Sequence, residues 1–460
     1  MNTHHKVTMI IVACLLLTIP TGVFAQTSIS GAPGTWVSSI NIQNMSSSPA
    51  NVVLDFYDSN GNNLLSFPVQ PAIPGNGSRS LYVPSDVTGL ANGQFSVVAS
   101  SDVPVRIIVN SSSSNPYTAG AYEAIESNDI GQNLYFPGLY NNYYGFYSEL
   151  VIQNAESTDA SVQVQFYNQK TGSPVGTPYS AVIKPGASKV FNLSSLSPLL
   201  PSGNQNGLFS AKVTSTKKIA GIANIWTSAL HGEYSSYNGF ANGADMVYVP
   251  ALYKNYYGFV SSLTVQNIGS SSTNITVTYS NGVTDSFTLA AGLSKELYAP
   301  NYPGLPSGNT NGVFSAKIQA SPGSQIVAIV NVEDKTKGSL ASYNGSSEIG
   351  NRVGCPVVLK SFYRWFSAET VQNVGTSSTN ITVTYSSGQT RTFNNVPPNG
   401  TINVIELSNA GSVLPDNSSV AATFQSSGQP LMVVVQENSN ERYSSAPGDY
   451  LLAYTCKPIP

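Results

Sequence analysis

Residue types that could do chemistry are thinly spread in this chain. Beyond the first 25 residues the only histidine is His231, in a Gly/Tyr/Ser-rich stretch. A nucleophilic triad or a metal centre needs partners at fixed geometry, so a lone loop histidine reads as solvated. No H-E-x-x-H, C-x-x-C, G-x-S-x-G or G-K-[ST] pattern occurs. Ser215-Thr-Lys-Lys218 matches S-x-x-K by spacing, but it falls between two apolar runs without an S-D-N companion and reads as a turn. Asp58-Ser-Asn-Gly-Asn-Asn63 resembles the first half of a calcium loop. It lacks the glycine at position six and the closing glutamate, which favours a plain hairpin turn. Paired acids are scarce, with Glu333-Asp334 the clearest case, and nothing marks a glycosidase pair. The sequence therefore implies no catalytic residues, no metal site, no cofactor and no enzyme.

What does recur is aromatic. Asn142-Tyr-Tyr-Gly-Phe-Tyr147, Asn255-Tyr-Tyr-Gly-Phe259 and Phe362-Tyr-Arg-Trp-Phe366 stand where one repeat of the chain gives way to the next. Two readings apply. The rings pack one repeat's end against its neighbour, with hydroxyls kept wet. Alternatively they are platforms for sugar rings or a partner protein, and then Tyr143, Tyr144, Tyr256 and Tyr257 are the binding candidates.

The elements that position these rings follow from a repeat. Gln43-Asn44, Gln153-Asn154, Gln266-Asn267 and Gln372-Asn373 recur at intervals of 110, 113 and 106 residues. A period of that length is a whole small domain. Seven positions before each glutamine stands an aromatic residue: Trp36, Phe146, Phe259 or Trp365. Strand side chains alternate, so this aromatic and the Ile/Leu/Val positions that follow share a core face, slightly spoiled in the last repeat by Glu369. The same parity points the glutamine outward and the asparagine inward. At a strand's end that asparagine is expected to fold its amide onto the next turn. Strictly alternating strands follow, such as Asn274–Tyr279 and Asn380–Tyr385, closed by Asn60-Gly61, Thr171-Gly172, Asn281-Gly282 and Ser387-Gly388. Near-continuous β-branched runs (Val105–Val109, Ile219–Ile225, Ile326–Val332, Leu431–Val435) close each repeat.

Six to eight short strands, frequent turns and no helical periodicity predict an all-β chain. Its form would be four tandem antiparallel Ig-like β-sandwich domains, strung as beads in a rod. The boundaries read as 33–130, 131–244, 245–351 and 352–460, preceded by a signal peptide over residues 1–25. The leader shows Lys6, an apolar run and a small-residue cleavage site at Val23-Phe-Ala25. A competing reading places a lipid on Cys14. The segments that open the repeats (Leu134–Tyr140, Val247–Tyr253, Cys355–Lys360) could pair across a junction to complete the previous repeat's sheet.

Without the leader the chain keeps 19 basic and 23 acidic residues with no run of like charge, so neither nucleic acid nor an anionic membrane surface is an evident partner. No later stretch approaches a membrane span. In an exported chain Cys355 and Cys456, at the two ends of the last repeat, are expected to form a disulfide. The pattern VYVPALYKNYYGF…VQNIGSSSTNITVTY resembles repeats of secreted proteins from filamentous bacteria and, more loosely, tandem Ig-like modules of bacterial surface proteins and adhesins. That resemblance implies an extracellular or cell-surface location and carries no assigned functional residue. The expected function is a non-enzymatic structural or adhesive protein. The alternative is a carbohydrate-binding array. Its partners would be extracellular polysaccharide, a surface protein or further copies of itself.

Overall fold

The computed structural model describes residues 7–11, 32, 34–114, 117–196, 200–227, 232–334, 336–439 and 448–459. Positions 14 and 231 lie outside them. Among the described residues the chain is all-β, and its helical pieces are single turns such as Val83–Asp86 and Ala299–Asn301. Two compact units divide it, Met1–Asn242 and Gly243–Pro460, each holding two repeats.

The last repeat shows the plan most simply. One sheet runs Thr390–Val396, Thr379–Tyr385, Ser418–Ser426, Arg352–Lys360, Lys457–Pro458 in spatial order. The other runs Thr401–Ile405, Trp365–Asn373, Leu431–Ser439, Leu451–Thr455. All these neighbours are antiparallel. The alternation that marks Thr379–Tyr385 in sequence has its expected cause: Ile381, Val383 and Tyr385 are buried while Asn380 and Thr384 face solvent. The first repeat has the same two strand orders. In the second, Leu208–Thr227 is one strand of 20 residues that joins the sheets: its first half pairs with Ala160–Asn168, its second with Phe146–Asn154. Ser215–Lys218 therefore lies inside a strand, and the expected turn there is absent.

Opening strands belong to their own repeats. Gly131–Tyr143 pairs with Leu208–Thr227, Met246–Tyr256 with Val313–Ala320, and Arg352–Lys360 with Ser418–Ser426. Each carries a register shift at its proline, where a ladder donor is missing. Pairing across a junction is thus replaced by pairing within the repeat. Cys355, on the last of these strands, is bonded to Cys456 with Cα atoms 4.9 Å apart.

The inward asparagines do more than shape a turn. Asn267 Nδ2 donates to Ser271 O (2.8 Å) in the following turn and to Leu289 O (3.0 Å) in the facing sheet, while its Oδ1 accepts from Gly269 N (3.0 Å). Asn44, Asn154 and Asn373 repeat this set, reaching Ile73 O, Ile183 O and Val396 O, each at 3.0 Å. All four side chains are completely buried. One amide therefore ties both sheets of every repeat.

The glutamines depart from expectation. Gln43, Gln153, Gln266 and Gln372 are all buried rather than solvent-facing. Repeats within a unit cover each other's outer faces, so a parity that points away from one core points into a second. In the first unit Trp36 and Tyr234 rings meet at 4.5 Å, and both repeats contribute to one apolar cluster. In the second, Met432 and Val434 join the cluster of the preceding repeat, and Tyr253 Oη donates to Gln436 Oε1 (2.6 Å). The β-branched runs read as continuous for this reason: every residue of Leu431–Ser439 is buried. Beads that met only end to end would share no such core.

Glu149 lies on this covered face, held by Asn224 Nδ2 at 2.9 Å, with Ser236 Oγ donating to Asn224 Oδ1. Burial pushes its carboxyl up to about 8, against a partial offset from the Asn224 amide. The native protein thus keeps a proton that the unfolded chain has lost above about 4.5, so stability falls as pH rises between those values and levels off beyond. Glu149→Gln is expected to flatten this slope and to slow hydrogen exchange in Phe146–Asn154 at pH 8 relative to wild type. Equal slopes in the two proteins would contradict the assignment.

Candidate functional site: aromatic hairpin tips

The opening strand and the Gln-Asn strand of repeats two, three and four form a hairpin whose turn is two residues long: Tyr144-Gly145, Tyr257-Gly258 and Tyr363-Arg364. Both turn residues have positive φ, at 51° and 86°, 49° and 90°, and 46° and 69°. That is the type I′ geometry, which matches strand twist and normally selects Asn-Gly. A tyrosine there costs roughly 1–3 kcal/mol of backbone strain. Two positions before the first turn residue, Asn142, Asn255 and Ser361 are also left-handed.

A second loop holds the tip in place. Asn204 Oδ1 accepts from Tyr144 N (2.6 Å), and Asn309 Oδ1 accepts from Tyr257 N (2.7 Å). These asparagines sit in Pro201-Ser-Gly-Asn-Gln-Asn-Gly207 and Pro306-Ser-Gly-Asn-Thr-Asn-Gly312. Each loop is clamped to its opening strand: Asn141 N donates to Gly207 O and Lys254 N to Gly312 O, both at 2.8 Å. Glycine is required at these points because a Cβ on Gly207 would lie 2.3 Å from Asn141 O. Lys254, itself buried, donates its Nζ to Leu305 O at 3.2 Å and so spends its charge on loop carbonyls. The residues flanking Asn309, among them Pro306, Thr310 and Asn311, line a cleft of about 570 Å³.

The rings form a graded stack. Buried Tyr140 lies against Tyr143 (6.0 Å, 21° between planes), which meets Tyr144 edge-on at 4.8 Å. Tyr253, Tyr256 and Tyr257 repeat this at 5.8 and 4.9 Å, and Phe362 meets Tyr363 at 4.8 Å. Among the four candidate tyrosines the structure makes a division. Tyr143 and Tyr256 are half-buried supports, while Tyr144 and Tyr257 are 67% and 59% exposed. Tyr363, 82% exposed, belongs with the latter pair. Its signal was available in the sequence, since all three stand nine positions before a repeat glutamine. Asn204 and Asn309 gave no such signal, because their partners lie 60 and 52 residues away.

Other sequence candidates fall elsewhere. Asp58 accepts from Asn60 N and Asn62 N within its own turn. Asp334 is buried and accepts from the Thr336 hydroxyl. Thr171-Gly172 forms the expected hairpin turn, closed by Gly172 N to Asn168 O. Glu369 stays on the core face with both oxygens buried, its carboxyl held well above the usual range by burial and by Glu406. Glu406 accepts from the Tyr385 and Ser412 hydroxyls. This carboxyl pair lies inside the sandwich, where a saccharide enters only if the sheets part. Among the described residues no group of three His, Cys, Asp or Glu is arranged to hold a metal. No helix among them is long and apolar enough to cross a membrane.

No family model matches the chain, and no curated protein does. Among solved structures it is similar to a Thermotoga maritima protein designated 1070, at 19% identity over 24% of this chain and 93% of that one (TM-score 0.20). It is similar also to the Anabaena sensory rhodopsin transducer, at 22% identity over 20% and 90% (TM-score 0.17). A third likeness is to the pilus backbone of Streptococcus pneumoniae, at 7% identity over 77% and 86% (TM-score 0.14). Likenesses this weak add nothing about function.

The tip geometry yields its own test. Asn309→Ala removes the acceptor of the strained Tyr257 N–H. The backbone order parameter at Tyr257 is then expected to fall below about 0.6 while Phe259–Asn267 stays rigid. An unchanged order parameter would show that the turn holds itself.

Proposed function

We propose that the protein is a secreted, non-enzymatic structural or adhesive protein of tandem Ig-like sandwiches whose hairpin tips make its contacts. One observation carries this reading: the same exposed tyrosine, on the same strained turn, is presented by three successive repeats. Strain at a surface position costs stability without helping the core, and such costs concentrate where a conformation is used. Rigid aromatic rings also bind with little loss of side-chain entropy. Three weak contacts on one chain gain from multivalency if one partner spans them.

A second reading, a carbohydrate-binding array, is favoured by the surroundings of the Tyr257 tip. An exposed ring beside an amide-bearing loop and an open, Asn- and Thr-lined cleft suits stacking on a sugar with hydroxyls hydrogen-bonded at the side. The test uses Tyr144→Ala, Tyr257→Ala and Tyr363→Ala combined, in the chain beginning at Gln26. Binding to cell-surface material is expected to drop at least about tenfold by loss of avidity, with the circular dichroism spectrum preserved. Competition by soluble polysaccharide would select the second reading. Undiminished binding by the triple variant would remove the tips from the account.

A further inference from the structure

The first repeat is built differently at one place. In repeats two to four the strand beside the Leu208-type strand is supplied by the opening segment of that repeat. In repeat one the same place, between Ser96–Ser101 and Ile125–Glu126, is taken by Val7–Ile11. Its backbone register is Met9 opposite Ala99 and Ile11 opposite Val97. Opening strands elsewhere place Leu134 opposite Val213 and Phe136 opposite Ala211, at the corresponding positions. So the leader stands in for an opening strand.

A leader cleaved after Ala25 takes that strand with it. Ten positions separate Gln26 from Trp36, as ten separate Phe136 from Phe146. Counted back from the aromatic, the first residue left would reach only the Phe136 position. The places of Gln132 to Tyr135 would be empty. What remains is a slot flanked on both sides by strand edges, with Ala99, a core residue, along one wall. Two unpaired edges and an open core are costly, and a strand that enters gains ladder bonds and apolar burial together.

We propose that the cleaved protein's first repeat is an acceptor for an extended β-strand of another polypeptide, entering antiparallel to Ser96–Ser101. The strand needs an apolar side chain at the position opposite Ala99, since directly opposed residues point to the same face. This rests on removal of the leader but not on the role of the tyrosine tips, so either idea can fail alone.

The test uses the chain beginning at Gln26 and a synthetic peptide with the sequence of residues 5–13. The Val98–Ser101 amides that point away from Ala50–Tyr57, the strand's other neighbour, are expected to exchange freely in the chain alone and at least about tenfold more slowly at saturating peptide. The same peptide with proline at positions 9 and 10 is expected to have no effect, because proline gives no ladder donor. A Val7→Cys peptide is expected to form a disulfide with Ser101→Cys, its register partner. Protection of those same amides without any peptide would overturn the proposal, whether a dimer or the chain's own first residues fill the slot. So would N-terminal sequencing of the exported protein that finds Val7–Ile11 still attached.

Discussion

A single buried amide sets the geometry on which the rest depends. Most contact between the facing layers of an antiparallel sandwich is apolar and non-directional, which fixes their separation better than their offset. Asn44, Asn154, Asn267 and Asn373 add directional bonds from one sheet to a carbonyl of the other and to the turn between them. These amides are completely buried, and leaving a buried polar group unpaired costs about 1–3 kcal/mol. The Gln-Asn strand that carries the amide is also one arm of the hairpin that ends in the tyrosine. Fixing its far end against the facing sheet therefore aims the tip.

The second constraint is that both faces of that sheet are covered. Paired repeats explain buried glutamines, an ionisable Glu149 with a raised carboxyl and strands that read as apolar throughout. In the last repeat the demand is stretched further, since Glu369 occupies a core position filled by Ile40, Leu150 and Leu263 in the others. The disulfide between Cys355 and Cys456 lies in that same repeat, and closing a loop of about 100 residues removes up to ~4–5 kcal/mol of unfolded-chain entropy.

Much of this was legible in the sequence. Period-two alternation marked the strands, Asn-Gly and Ser-Gly pairs marked their turns, and parity put the asparagine inside. The glutamine failed because parity says which face a residue is on, not what covers that face. A surface of Gln, Ser and Asn looks like solvent-facing polarity even when a second repeat lies on it. The turn at the tips was hidden for a different reason: Tyr-Gly is not a sequence that signals a type I′ turn, and its support comes from a loop more than 50 residues on. Ser215–Lys218 misled because a polar interruption in a long strand resembles a turn when the strand is changing sheets.

The role given to the asparagine can be separated from ordinary turn capping by one substitution. Asn267→Asp keeps the size and the acceptor for Gly269 N but removes both donors and places a carboxylate beside two carbonyls. Hydrogen exchange should be followed at Phe259–Asn267, at Thr284–Leu289 in the facing sheet, and in the turn after Asn267. Loss of about 2–3 kcal/mol of protection in both strands is expected if the amide joins the sheets. Faster exchange confined to the turn, with both strands unchanged, would show that the amide caps its turn and does not join the sheets.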